Sequence, residues 1–282
     1  MSANQASLIV EIGREYNDTL HNLSNIGAAS LHKLTAHLRR TAEREGWHSL
    51  LVAADRLEHF AEFGIQSINV GGTMGSGKSS VANALADRLG WELKDADHFH
   101  PLCNREKMAR GISLTSEDRK PFLNAVQSWL RSPRQITTCS ALTDLYRAVI
   151  AGQDVNALSE SSLQIAPWDI PKPNLGLLQV IVYKPYDTAL EQLDRAVKLG
   201  PPRLFDGRPH FIQVTFESEA RATSTGAVPL LQSQYALLES SAAMPWDVVT
   251  VMAEDSRMQT GEYDLELMIK PLADLPYNKK ED

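Results

Sequence analysis

This sequence predicts an α/β protein in which helices flank a parallel β-sheet, and three observations support that prediction. Short apolar segments typical of buried strands alternate with longer segments whose apolar residues recur at helical spacing. One strand-to-helix junction carries a glycine-rich loop at residues 72–79. Polar residues follow several of the predicted strands, which is where parallel α/β sheets bind their ligands.

The composition is that of an ordinary globular protein. The chain has 282 residues, of which 43% are hydrophobic and 22% charged, enough for one large domain or one domain with an appendage. A formal net charge of −7 favours neither nucleic acid nor an anionic membrane as a partner. The two cysteines, Cys103 and Cys139, are too few for a disulfide scaffold and too far apart for a metal knuckle. Because residues 1–5 lack a basic targeting segment and no run approaches about eighteen apolar residues, we expect a cytoplasmic protein.

Residues 1–64 precede the glycine-rich loop and predict an extension of two or three helices. Apolar residues recur there at helical spacing, and Gly27 and Gly46 are the expected breaks between helices. The apolar stripes need a partner, which could be the rest of the chain or a second subunit. We therefore predict a packing role for this extension, with a homodimer through it as one alternative.

Residues 65–282 predict a second unit in which strands and helices alternate. The predicted strands are 67–71, 91–94, 136–139, 178–183 and 248–252, and the predicted helices are 79–89, 142–150, 187–199 and about 264–269. Two long stretches punctuated by glycine, proline and serine interrupt this order. Residues 152–176 are interpreted as an insertion, and residues 199–229 as a lid, because the second stretch carries Arg203, Arg208 and His210.

The glycine-rich loop itself reads Gly72-Thr73-Met74-Gly75-Ser76-Gly77-Lys78-Ser79 and is followed by Ser80. It fits the phosphate-binding pattern G-x-x-x-x-G-K-[ST], and the strand before it and the helix after it argue against a chance glycine-serine turn. Backbone N–H groups and the positive end of the helix dipole would converge there on a phosphate. We expect Lys78, facing solvent, to reach the β- and γ-phosphates and the Ser79 hydroxyl to bind Mg²⁺. A nucleoside triphosphate is the expected ligand.

Four motifs after the loop resemble, in order, those of the gluconokinase family. They are D-x-D-x-x-H-P at residues 95–101, N-x-x-K-M-x-x-G at 104–111, D-R-x-P-[WF]-L at 118–123 and, with Thr143 in place of a lysine, C-S-A-L-K-x-x-Y-R at 139–147. Further on, residues 209–211 are similar to the family's G-H-F and residues 230–235 to its L-L-x-S-Q-[FY]. The resemblance covers roughly residues 66–275 and is strongest between residues 71 and 147.

This resemblance implies a P-loop kinase core of the nucleoside-monophosphate and shikimate kinase type, carrying the N-terminal α-helical extension. It also implies ATP-dependent phosphorylation of D-gluconate at its 6-hydroxyl, with Mg²⁺, to give 6-phosphogluconate. Two rival functions stay open. One is a kinase of the same fold acting on another sugar acid or small hydroxylated metabolite, and the other is a catalytically weak nucleotide-binding protein with an interaction role.

Asp95 and Asp97 follow the second predicted strand, beside the loop. Phosphoryl transfer depends on charge neutralisation, Mg²⁺ and an oriented hydroxyl, so we expect Asp97 to orient or deprotonate the substrate hydroxyl. Asp95 is expected to bind water molecules of the metal, since Mg²⁺ keeps several of its waters. The alternative for both carboxylates is helix capping after the strand.

The carboxylate and hydroxyl groups of gluconate should meet a cation and several hydrogen-bonding groups. Arg119 is the first candidate for the carboxylate, because a guanidinium offers a planar fork with two donors. The further substrate-binding candidates are His100, Arg105, Lys107, Ser140, Arg147 and His210. Two alternatives stay open, since Arg147 could form a salt bridge inside the protein and Asp118 could do no more than cap a helix.

Two departures from the family pattern put the identity of the substrate in question more than the binding of ATP. Thr143 replaces the lysine of C-S-A-L-K and removes one cation near the expected site. The lid is longer than in the family, so Arg195, Arg203 and Arg208 could each supply positive charge to the transition state. We take Arg195 and Arg208 as the candidates for catalysis.

Overall fold

The computed structural model describes residues 3–110, 112, 114–152, 173–187, 224–239, 249–253 and 264–278. The strands in these ranges are β1 Ser67–Gly71, β2 Glu92–Asp95, β3 Gln135–Thr138, β4 Leu177–Tyr183 and β5 Val249–Met252. They form one parallel sheet in the order β2-β3-β1-β4-β5. Val70 of β1 lies in register with Thr138 of β3 and Val180 of β4, so the carboxyl ends of these strands meet at one edge. The predicted α/β fold is confirmed.

The described helices are α1 Ala3–His21, α2 Ala28–Glu45, α3 His48–Phe63, α4 Lys78–Leu89, α5 Leu102–Ala109, α6 Ser116–Leu130, α7 Asp144–Ile150, α8 Ser224–Glu239 and α9 Leu265–Ala273. Gly27 precedes α2 and Gly46 ends it with a φ of 73°, at the two predicted breaks. The sequence predicted neither α5 nor α8, and it gave only a possible helix start near Asp118 for α6. The 8 residues of α5 are too few for a clear apolar period. None of the described helices is long and apolar enough to cross a membrane.

Several predicted features fall outside the described residues, and they stay predictions. They are residues 153–172 of the insertion, the predicted helix at 187–199 beyond residue 187, and the lid up to residue 223. Arg195, Arg203, Arg208 and His210 lie in these segments. The description resumes where α8 begins.

The three N-terminal helices pack on the sheet domain. Their buried side chains belong to one continuous apolar core with side chains of the strands, α4 and α9, including Leu20, Leu38, Leu57, Phe60, Ile68, Val70, Leu85 and Leu272. Burying a large apolar side chain contributes about 1.5–3 kcal/mol, so this packing is a major part of the stability. The sequence left two possible partners for the apolar stripes, and the structure shows that they pack on the sheet domain of the same chain. The predicted domain boundary between residues 64 and 65 falls within this core and stays a prediction. The homodimer also stays a prediction.

The C-terminal segment, residues 276–278, forms hydrogen bonds with Ile65, which lies between the end of α3 and the start of β1. The Ile65 N–H donates to the Pro276 carbonyl at 2.6 Å, and the Asn278 N–H donates to the Ile65 carbonyl at 2.8 Å. Gly64 has a φ of 72°, and a Cβ built on it would lie 2.6 Å from the Asn278 nitrogen. A side chain at this position would therefore displace the C-terminal segment, which explains the glycine.

A cluster of charged and polar side chains links α2 to α3. The two Nη atoms of Arg39 donate to the Glu58 carboxylate at 2.9 and 2.7 Å, and one of them also donates to Asp55 at 2.7 Å. The Thr35 hydroxyl donates to Glu58 at 2.6 Å. The hydrogen bonds from Arg39, helped by the one from Thr35, lower the pKa of Glu58 to about 2. The ionised carboxylate of Glu58 therefore stabilises the folded state.

Replacing Glu58 by glutamine should lower the melting temperature at pH 7 by about 1–3 °C, since it removes a partly exposed ion pair. Because the folded pKa lies below the unfolded value of 4.5, the stabilisation is complete above pH 4.5 and is lost as the pH falls toward 2. Thermal melts of both proteins across this range measure the difference, with Glu62→Gln, an exposed position on the same helix, as the control. A difference that stays constant down to pH 2 would contradict the lowered pKa.

Candidate active site

The phosphate loop at residues 72–79 joins β1 to α4 and lies against the ends of two neighbouring strands. The Gly72 N–H donates to the Ser140 carbonyl, 3.2 Å away and just beyond β3. Gly72 has a φ of 136°, and a Cβ built on it would lie 2.5 Å from the Val182 carbonyl oxygen in β4. Gly77, with a φ of 102°, turns the chain into α4. Glycine adopts these angles without strain, whereas other residues rarely do, so both glycines are needed for the shape of the loop.

The inside of the loop holds a polar atom that a ligand could satisfy. Ser76 is fully buried, and its Oγ has no hydrogen-bond partner among the described residues. The loop also leads into the N-terminus of α4, where the first backbone N–H groups have no partner within the helix. A buried polar group without a partner is costly, and a phosphate oxygen would satisfy it. The residues of the loop therefore fit a phosphate group.

Lys78 is buried, so the sequence-based expectation that it faces solvent is wrong. The residue is 5% exposed, and its Nζ donates to the Thr73 carbonyl at 3.4 Å. Burial lowers the pKa of Lys78, and the negative charges of Asp95 and Asp97 oppose that shift. The loop and the strand ends enclose the ammonium, which a local sequence pattern does not reveal. A phosphate entering the loop would meet a desolvated cation, to which it is attracted more strongly than in water.

Asp95 and Asp97 lie on the same edge of the sheet as the phosphate loop. Asp95 ends β2 opposite Thr138 of β3, and Asp97 follows in a short 3-10 helix, Ala96–Phe99. The Asp97 N–H donates to Asp95 Oδ1 at 2.9 Å, so Asp95 caps this helix, as one alternative from the sequence had it. Burial, and then repulsion from Asp97, raise the pKa of Asp95, while the hydrogen bond from the Asp97 N–H and attraction to Lys78 oppose that shift. The structure thus brings two carboxylates and the Lys78 ammonium into one electrostatic group.

Residues 139–147 form the corner beyond β3. Burial raises the pKa of the Cys139 thiol to about 12, which excludes a thiolate nucleophile at neutral pH. Arg147 is also buried, and its guanidinium donates to the Ala141 carbonyl at 2.8 Å and pairs with Asp144. Arg147 thus forms the internal salt bridge that was one of its two predicted roles. Its contact with substrate stays a prediction.

Thr143, which stands where the family pattern has a lysine, caps α7. Its Oγ1 accepts from the Tyr146 N–H at 3.3 Å, and the residue is buried. The Tyr146 ring in turn faces the Arg119 guanidinium, with 5.8 Å between the Cζ atom and the ring centroid. This cation–π contact orients the predicted ligand of the substrate carboxylate. Arg105, another candidate, lies exposed on α5.

An ion pair joins α5 to α6 and engages two residues of the matched motifs. The Lys107 Nζ donates to both carboxylate oxygens of Asp118, at 2.7 and 2.8 Å. The bond from Lys107, and then the one from the Thr115 N–H, lower the pKa of Asp118 to about 2, and Asp118 also completes a capping box with Thr115. His100 is buried, with its ring stacked on Phe122 at 3.9 Å between centroids. These residues hold the helices together, and their contacts with substrate stay predictions.

Two side chains that the sequence analysis did not single out contact the phosphate loop. Gln234 Oε1 accepts from the Met74 N–H at 2.7 Å, and the Lys184 Nζ donates to the Gly75 carbonyl at 3.1 Å. A signal for Gln234 did exist, because it is the glutamine of L-L-x-S-Q-[FY]. Lys184 directly follows β4, an end-of-strand position where ligand-binding residues are expected.

The fold and the site together define a P-loop kinase, with a phosphate loop between the central strand and a helix and with carboxylates beside the loop lysine. The chain is 32% identical over 179 residues to the probable gluconokinase of Rattus norvegicus, a match that covers 61% of this chain and 81% of that protein. The chain belongs to the gluconokinase family.

Other comparisons cover less of the relatives or carry less weight. The chain is 40% identical over 105 residues to the gluconokinase of Gluconobacter oxydans strain 621H, which covers 35% of this chain and 59% of that protein, so it spans little more than half of that relative. The solved gluconokinase from Sinorhizobium meliloti 1021 is 26% identical, covering 74% of this chain and 91% of its own, with a TM-score of 0.46. No family model matches the chain.

Replacing Lys78 by methionine should lower phosphoryl transfer from ATP by about 10²–10³-fold or more, because the loop loses the cation that is expected to neutralise the β- and γ-phosphates. The melting temperature should stay the same or rise, since burial lowers the pKa of Lys78 and burying its charge therefore costs stability. A turnover assay and a thermal melt measure the two effects, and Lys33→Met, at an exposed position of α2, is the control. Unaltered turnover in Lys78→Met would reject the phosphate-loop assignment.

Proposed function

We propose that this protein transfers the γ-phosphoryl group of ATP to the 6-hydroxyl of D-gluconate and forms 6-phosphogluconate and ADP. Membership of the gluconokinase family supports the substrate, and one feature of the site supports the chemistry. That feature is the position of Asp95 and Asp97 beside the buried ammonium of Lys78, at the edge of the sheet that carries the phosphate loop. Phosphoryl transfer needs a phosphate cradle, a cation and a carboxylate that aligns the acceptor hydroxyl.

Residues 72–80 bind the triphosphate in this proposal. Backbone N–H groups of the loop and the Ser76 hydroxyl donate to phosphate oxygens, and Lys78 neutralises charge on the β- and γ-phosphates. Because Lys78 is buried, its charge acts in surroundings of low dielectric constant, where it is most effective. The Ser79 hydroxyl and, through water, the Asp95 carboxylate are the ligands for Mg²⁺. When bound, Mg²⁺ neutralises charge that develops on the transferred group.

Asp97 orients the acceptor hydroxyl and takes up its proton in this proposal. Arg119 binds the substrate carboxylate, and it is preferred over two other cations, Lys107 and Arg147, because those already pair with carboxylates of the chain. The remaining candidates keep their proposed roles, which are hydroxyl binding for His100, Arg105, Ser140 and His210, and stabilisation of transition-state charge for Arg195 and Arg208.

A kinase acting on another sugar acid is the second candidate, and one observation favours it. Thr143 is buried as the cap of α7 where the family pattern has a lysine. The site therefore has one cation fewer with which to select a carboxylate, and selectivity depends on such differences between acceptors.

A coupled assay of ADP release separates these candidates. The purified full chain is supplied with ATP, Mg²⁺ and one acceptor at a time, namely gluconate, other aldonates and shikimate. We expect the highest kcat/KM with gluconate and, by nuclear magnetic resonance, a product phosphorylated at carbon 6. A higher kcat/KM with another aldonate would establish the second candidate instead, and ADP release that no acceptor increases would reject both.

Replacing Asp97 by asparagine should lower kcat for gluconate by about 10²–10⁴-fold, because the side chain keeps its size and loses its proton-accepting charge. The affinity for ATP should change little, since in this proposal the phosphates bind to the phosphate loop and Asp97 contacts the acceptor hydroxyl. Steady-state kinetics and calorimetry measure the two quantities, and Asp87→Asn, at an exposed position of α4, is the matched control. A near-normal kcat would contradict the role of Asp97.

A further inference from the structure

Two side chains from outside the phosphate loop hold its tip, which consists of Met74 and Gly75. Gln234, on α8, accepts a hydrogen bond from the Met74 N–H at 2.7 Å. Lys184, directly after β4, donates to the Gly75 carbonyl at 3.1 Å. The tip is therefore held through the N–H donor of Met74 and the carbonyl acceptor of Gly75. We call the pair of Gln234 and Lys184 the tip clamp.

The two parts of the tip clamp are connected to each other. The hydroxyl of Tyr235, the residue after Gln234, donates to the Lys184 carbonyl. Tyr235 is 4% exposed, and its ring packs edge-on against Tyr186, with 5.2 Å between centroids. Lys184 is itself 3% exposed. Because Lys184 is buried and Tyr235, the neighbour of Gln234, is bonded to it, the clamp presents its groups to the loop in a defined geometry.

The loop needs such support because of its own composition. All three of its glycines, Gly72, Gly75 and Gly77, adopt positive φ, with values of 136°, 76° and 102°. Glycine has the widest backbone freedom of any residue, so a loop that is held only at its ends would sample many shapes. Ordering it when the nucleotide arrives would subtract from the binding free energy. Contacts that order the loop beforehand remove that cost.

The Gln234 contact also shows how the N–H groups of the loop are divided. An amide oxygen and a phosphate oxygen are both acceptors, so they would compete for the same N–H. With the Met74 N–H engaged by Gln234, the phosphates are left with donors further along the loop, including the Ser76 hydroxyl, which has no partner among the described residues. Gln234 therefore takes a donor at the tip and leaves the interior of the loop to the ligand.

We propose that Gln234 is a positioning residue for phosphoryl transfer, which acts through the Met74 N–H to hold the phosphate loop ready for the triphosphate. This inference rests on the ATP-binding part of the proposed function. Lys184 supports the same geometry from the other side of the tip, and Tyr235 connects the two. The role concerns ATP alone, because the contact is made with the loop and not with the acceptor side of the site.

The test compares Gln234→Met with Gln232→Met in the full chain. Both variants carry the same substitution on α8, but Gln232 is exposed to solvent, whereas Gln234 bonds to the loop. Losing one hydrogen bond should raise the dissociation constant for ATP about five- to tenfold in Gln234→Met, measured by calorimetry, and leave the KM for gluconate unchanged. Gln232→Met should match the wild type in both quantities. Gln234→Asn, whose shorter amide does not reach Met74, should behave like Gln234→Met.

Other outcomes would overturn the inference. Equal ATP affinity in Gln234→Met and the wild type, with or without a lower melting temperature, would show that Gln234 only packs α8. Tighter ATP binding would show that Gln234 competes with the phosphates. If Gln234→Met does not fold, Gln234→Asn decides by the same criteria. If the wild type phosphorylates gluconate while Gln234→Met and Gln234→Asn bind ATP as tightly as the wild type does, this inference alone is refuted. If the wild type does not bind ATP, the proposed function is refuted as well.

Discussion

The close approach of the phosphate loop to the ends of β3 and β4 is the constraint on which the site depends. Gly72 donates its N–H to the Ser140 carbonyl on one side, and on the other side the Val182 carbonyl occupies the space that a Cβ would need. The strand ends thus form one wall of the loop and engage the Gly72 N–H. The groups that remain, such as the Ser76 hydroxyl, are left for a ligand. The register of the sheet, together with the glycines, therefore contributes to the shape of the loop.

The same packing sets the electrostatics of the site. Enclosing Lys78 lowers its pKa, and enclosing Asp95 raises that of the carboxyl, so each charge is held at a cost to stability. Charges that have lost their water interact strongly with ligands, and in the proposed function these ligands are an anionic phosphate group and a divalent cation. A site of this kind trades stability for binding, and the loss must be made up elsewhere in the fold.

The rest of the chain supplies that stability, partly through residues that look functional in the sequence. The N-terminal helices share one apolar core with the sheet, and Arg39 and Glu58 link two of them. Arg147 fixes the corner beyond β3, and Lys107 pairs with Asp118 to join α5 and α6. A residue within a functional motif can therefore act by holding the motif in place, without touching a ligand.

The sequence by itself determined the succession of strands and helices along the chain, the phosphate loop and the nearness of Asp95 to it, because periodicity is local and parallel strands share one edge for their carboxyl ends. It did not reveal that Lys78 is buried or that Lys107 pairs with Asp118, and it left open whether Arg147 pairs inside the protein. Nor did it reveal the contact of Gln234 with Met74, whose positions are 160 residues apart. Only the tertiary structure decided these points, because burial and charge pairing depend on which distant side chains occupy the same space.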